Sequence, residues 1–139
     1  MFSRILVAVD GSESSKKAFD KPVFLAQKCN SKLYVVHVVL DWKYGGDSAA
    51  TFELIEELRT KGTELLEQCK KESVQYNVQV KTLLEQGDYA HEIIQVAKRK
   101  NCDLIIMGSR GMSPFKELLL GSVSLKVMHH ASCPVMIVR

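Results

Sequence analysis

The chain has 139 residues, the size of one domain (residues 1–139), with 46% hydrophobic and 25% charged residues, a globular rather than disordered composition. Its formal charge of +3 comes without a long run of like charges, so nucleic acid is not an expected partner. No stretch approaches the ~18 continuous apolar residues of a membrane span, so no membrane is expected either.

Arg4 to Val9 carries the apolar run Ile5-Leu6-Val7-Ala8-Val9, the pattern of a strand buried on both faces. Asp10 and Gly11 interrupt that run too early for a secretion signal, and a cytoplasmic location is expected. Ser12 or Ser14 can cap a helix running toward Cys29, with a kink or a later start at Pro22. Lys32 to Val39 reads as the second strand, rich in Val, Leu and Tyr. Residues 41–50, with Gly45-Gly46, read as a connection. From about Thr51, Ile55, Leu58, Leu65, Leu66 and Cys69 recur at helical spacing. Asn77 to Leu84 alternates as a third strand, and Asp88 caps a helix through Ile93, Ile94, Val96 and Ala97. Asp103 to Met107 is a fourth buried strand, Ser122 to Ala131 a short helix, and Val135 to Val138 a last strand opened by Pro134. This strict alternation predicts an α/β fold: an open, five-stranded parallel sheet with helices on both faces, Rossmann-like.

Ligands of such sheets bind beyond the C-terminal strand ends, where the strand order reverses. Two strand ends carry unusual chemistry: Asp10-Gly11-Ser12 after the first strand, and Gly108-Ser109-Arg110-Gly111 after the fourth. If those strands are neighbours, Asp10 and Gly108 face each other across one crevice. Glycines at 108 and 111 permit positive φ and close backbone approach, so successive N–H groups can form an anion nest. Gly121 and Ser122 then open a helix whose free N–H groups favour a phosphate. Ser109, Ser122 and Ser124 add hydroxyl donors, and Arg110 adds positive charge. A plain loop with turn glycines and a capped helix explains the same residues equally well. The P-loop pattern G-x-x-x-x-G-K-[ST] is absent from the sequence, as is G-x-G-x-x-G after the first strand.

Gly108, Gly111, Gly121 and Ser122 fit G-x2-G-x9-G-[ST] at every position, and the chain here resembles the ATP-binding branch of the universal stress protein family. The opening Ile5-Leu6-Val7-Ala8-Val9-Asp10-Gly11-Ser12, the His37-Val38 pair and the closing Cys133-Pro134-Val135-Met136-Ile137-Val138 are similar to that family as well. The resemblance implies an adenine nucleotide, ATP or AMP, bound with Mg²⁺. It places Asp10, with Ala8 beside it, at the ribose or base edge and Val38 at the adenine. Met107 and Gly108 would flank the ribose and the first phosphate. Arg110 and Gly111 would line the phosphate loop, closed by Gly121, Ser122, Val123 and Ser124. Position 8 is often proline in relatives and is alanine here. Pro22 is a second departure, expected away from the site.

His37 reads as a hydrogen-bonded core histidine, and His129-His130 as favourable charges at a helix end. Trp42 and Tyr44, beside the second strand, read as loop anchors packed on the domain, the alternative being a shield over an adenine ring. Cys29, Cys69, Cys102 and Cys133 form no C-x-x-C pair and read as reduced thiols. The expected function is a nucleotide-responsive regulatory protein of a stress response. The alternative is a slow ATP-hydrolysing or phosphoryl-transferring enzyme, using Arg110 and a metal held by Asp10 or Glu117. The apolar last strand, if at a sheet edge, invites a homodimer, and the resemblance implies antiparallel pairing there.

Overall fold

Apolar residues at consecutive positions, rather than alternate ones, are what a strand needs when helices cover both of its faces. The computed structural model describes residues 1–12, 15–16, 19–40, 49–108 and 121–139. Ser14, Trp42, Tyr44, Gly45, Gly46, Ser109, Arg110, Gly111 and Glu117, and the expectations attached to them, lie outside the described residues. The elements in chain order are β1 (Arg4–Ala8), α1 (Asp20–Cys29), β2 (Lys32–Leu40), α2 (Ala49–Val74) and β3 (Val80–Gly87), then α3 (Tyr89–Arg99), β4 (Leu104–Gly108), α4 (Ser122–His130) and β5 (Val135–Val138). All the strand pairs are parallel, in the order β3-β2-β1-β4-β5.

Successive residues of the central strands divide between two cores. Ile5, Val7, Leu33, Val35, Leu104 and Ile106 pack on one face against Phe19, Val23 and Ala26 near or in α1 and Leu66 and Cys69 of α2. Leu6, Tyr34, Val36, Val38, Ile105 and Met107 pack on the other against Ala90, Ile93, Val96 and Ala97 of α3 and Val127 of α4. The expected three-layer α/β arrangement is the one observed.

Differences from the expected boundaries have local causes. The Ser12 hydroxyl accepts from Ser15 N at 3.1 Å and the Ser12 carbonyl from Lys16 N at 3.0 Å, so Ser12 caps a helical turn of its own. The main helix starts later, at Asp20, which puts Pro22 in its first turn, where a missing N–H breaks no intrahelical bond. The third strand starts at Val80 instead of Asn77 because Asn77 has φ of 55° and, through its N–H to Val74 O at 3.1 Å, still belongs to the end of α2. That strand then continues through Glu85 and Gln86 to Gly87, since an edge position tolerates polar side chains. Asp88 caps α3 as expected, its carboxylate accepting from His91 N at 3.0 Å.

Candidate functional site

The parallel ladder between β1 and β4 has its last paired residues at Val7 and Ile106. Beyond that rung the two strands turn to their outer neighbours: β1 pairs with β2 up to Ala8↔Val36, and β4 with β5 up to Gly108↔Val138. The sheet therefore parts between Ala8 and Met107–Gly108, at the point where the strand order reverses. A hollow of about 240 Å³, open to solvent, lies there, lined by Ala8, Val9, Ser15, Pro22, Met107 and Gly108 among others. Residues 109–120, which follow Gly108, are outside the described residues.

Of the residues named from the sequence, Ala8, Met107 and Gly108 line the hollow, whereas Asp10, Val38 and Gly121 to Ser124 are not among its lining residues. Val38 and Met107 belong to the core cluster on the α3/α4 face, and Ala8 and Val123 pack against that same cluster. Ser124, buried in the first turn of α4, donates its Oγ hydrogen to Gly108 O at 2.9 Å, which fixes the start of the helix against the end of β4. Gly121 is the N-cap of α4 and makes no side-chain cap bond, so no side chain of its own competes for the N–H groups of Ser122, Val123 and Ser124. In α3 the Asp88 carboxylate fills the equivalent place.

Asp10 sits in a tight turn. Its Oδ1 accepts from Ser12 N at 2.9 Å, and Ser15 Oγ lies 3.4 Å from its own N–H. Gly11 adopts φ of +83°, the left-handed conformation that admits glycine most readily, and an added Cβ there would stand 3.7 Å from Leu65 of α2.

Two expectations are corrected. Gly108 does not supply positive φ: among the described glycines only Gly11 and Gly87 have it. Gly108 instead supplies space, since a Cβ built on it would meet no atom of the described residues within 4 Å. Pro22, expected away from the site, lines the hollow because the first turn of α1 packs across the ends of the strands. One contributor escaped the sequence reading: Ser15 reaches Asp10, a link foreshadowed only by the Ser12-x-x-Ser15 spacing. The His37 ring is hydrogen-bonded as expected, to Val9 O at 2.8 Å, a partner that no local pattern announces.

The cysteines show no activation. Burial pushes Cys69 and Cys102 up to about 11, with Glu72 adding to the first and Cys133 and Asp103 to the second; burial also raises Cys133. All three are neutral thiols near pH 7. Among the described residues no three His, Cys, Asp or Glu side chains gather as a metal site. Nor is any helix among them long and apolar enough to cross a membrane.

The family model of the Universal stress protein family matches residues 1–139. A relative from Bacillus subtilis, universal stress protein YxiE, is 39% identical over the full length of both chains. The solved structure of universal stress protein UspA from Lactobacillus plantarum superposes with a TM-score of 0.83 at 28% identity, covering 99% of this chain and 98% of that one. Two more distant structures share the fold: a universal stress protein in complex with cAMP, at TM-score 0.76 and 22% identity over 99% and 97% of the two chains, and one from Archaeoglobus fulgidus in complex with dAMP, at 0.72 and 19% over 99% and 98%. With a family model spanning the whole chain and a full-length relative at this identity, the protein belongs to the universal stress protein family.

Proposed function

We propose that this protein binds an adenine nucleotide, ATP or AMP, in the crevice between β1 and β4, and that occupancy governs how it meets a partner in a cytoplasmic stress response. The observation that carries this reading is the parting of the sheet beyond Val7 and Ile106, with the open face of Gly108 on one side and the start of α4 beside it. Helix N-termini favour phosphate through their free N–H groups and dipole. Adenine would lie toward Val38 and Ala8, ribose against Asp10 and Met107, and phosphates along Gly108, Arg110, Gly111 and Gly121 to Ser124. Two proteins of this fold were solved with the adenine nucleotides cAMP and dAMP, which supports that ligand class.

Mg²⁺ would arrive with the phosphates, because this ion keeps several waters and takes only one or two carboxylates. Asp10 directly follows Val9 of the hollow's lining; its Oδ1 already accepts from Ser12 N, leaving Oδ2 for ribose or a metal-bound water. The functional unit we propose is a homodimer joined through β5, the last strand in the sheet order.

The test begins with mass spectrometry of nucleotide released from the purified, denatured protein. Calorimetry of the emptied protein with ATP, AMP and cAMP follows, with and without Mg²⁺. Micromolar-scale binding of at least one is expected. No heat with any of them, for protein confirmed empty, overturns the proposal.

A further inference from the structure

The imidazole of His37 sits at the junction of three elements. It belongs to β2, half-buried on the face covered by α2, and its Nδ1 lies 2.8 Å from the carbonyl oxygen of Val9. A carbonyl only accepts, so Nδ1 carries the hydrogen and donates it. Val9 stands one residue past the end of β1; its N–H still donates to Val36 O at 3.0 Å, while its carbonyl is met by the ring. The next residue is Asp10.

On its other side the ring is pressed against α2 where that helix has a glycine. A Cβ on Gly62 would stand 2.7 Å from His37 Cδ2 and 2.8 Å from Leu84 Cδ1, closer than real Cβ contacts come, and 3.3 Å from His37 Nε2, so the ring and Leu84 together occupy the space a side chain would take. At Leu65, close by along the helix, α2 also reaches the neighbourhood of Gly11. The backbone of α2, the His37 ring, the Val9 carbonyl and the Asp10–Ser12 turn thus form one continuous series of contacts.

We infer that His37 is a positioning residue for the nucleotide crevice: through its Nδ1–H it fixes where β1 ends, and so where Asp10 is presented. The ring meets the hollow only through the Val9 carbonyl and is not itself one of the lining residues. Its effect on ligand binding rests on the nucleotide reading given above; its effect on the turn does not.

The test compares His37→Leu, which removes the donor, with His37→Asn, whose amide nitrogen falls near the position of Nδ1. In the wild type, ¹⁵N NMR of the ring should show the proton on Nδ1, the opposite of the tautomer favoured by a free histidine side chain. In His37→Leu, amide exchange at Asp10, Gly11 and Ser12 should rise about tenfold or more, the expected effect of an orphaned carbonyl, while exchange at Ile105 and Ile106 stays unchanged. ATP or AMP binding should weaken by about the same factor, and His37→Asn should restore both. If His37→Leu does not fold, Gly62→Ala displaces the ring from the other side and should give the same local rise in exchange. A merely structural histidine would lower Tm without this local signature, or would leave His37→Asn as impaired as His37→Leu; either result overturns the inference. A wild type that binds no adenine nucleotide defeats the nucleotide reading alone, and the exchange at residues 10–12 still decides the role of His37.

Discussion

Gly108 and Cys69 carry consequences that depend on a few atoms each. Because a Cβ at Gly108 would meet no atom of the described residues within 4 Å, Gly108→Val should leave the fold and its Tm intact; β-branched residues also suit a strand. The same branched side chain would occupy the crevice, so adenine-nucleotide binding should disappear. Retained affinity in a folded Gly108→Val protein would place the ligand elsewhere. Cys69 makes a pH prediction whose sign follows from linkage. Its thiol rises from 9.0 to about 11 on folding, chiefly through burial, so it holds its proton in the folded chain after the unfolded chain has lost it. That contribution is fully present below pH 9 and is lost as pH rises toward 11, on the order of 2 kcal/mol in all. Chemical denaturation at pH 8 and at pH 10.5 should show this decline, and Cys69→Ala should flatten it. A slope equal in both proteins would mean that the thiol's burial does not matter to alkaline stability.

Each helix is closed or opened by a small number of residues around it. Asn30, Asn77 and Asn101 all adopt φ near 55°, and each ends the helical segment before it and turns the chain toward a strand. Asparagine tolerates the left-handed region better than most residues, so it can serve where glycine is more usual. At the other helix end, the Asp88 carboxylate satisfies His91 N, and Asp88→Ala should cost about 1 kcal/mol in a urea titration without touching nucleotide affinity. A neutral Asp88→Ala would mean that water replaces the cap at no cost. The cap was legible in the sequence, since an aspartate directly preceded the periodic apolar positions of α3. The start of β3 was not. Residues 77–79 alternate as a strand would, yet the hydrogen bonds that end α2 claim Tyr76 and Asn77 first.

In the whole molecule, the sheet order leaves β3 and β5 as its edges. Polar Glu85 and Gln86 near its end mark β3, whereas β5 is the apolar run Val135-Met136-Ile137-Val138, with Met136 41% exposed. Unguarded edges recruit another strand, and a twofold axis makes that pairing self-complementary. Light scattering should therefore find about twice the chain mass at micromolar concentration, and Ile137→Pro, which removes a backbone donor from the edge, should shift the protein toward monomer. A monomeric wild type, or a dimer indifferent to that proline, places any interface elsewhere. The number and order of the strands, their burial on two faces, and the glycine and serine positions at their ends could be taken from the sequence, because periodicity and turn chemistry act over neighbouring residues. Which strands lie side by side could not, because that depends on how the crossovers pack. Only the tertiary structure placed β1 next to β4 and opened the sheet between Ala8 and Gly108. It also brought Pro22 to the hollow, and seated His37 between Gly62 and Val9, contacts between residues that lie 25 and 28 positions apart in the chain.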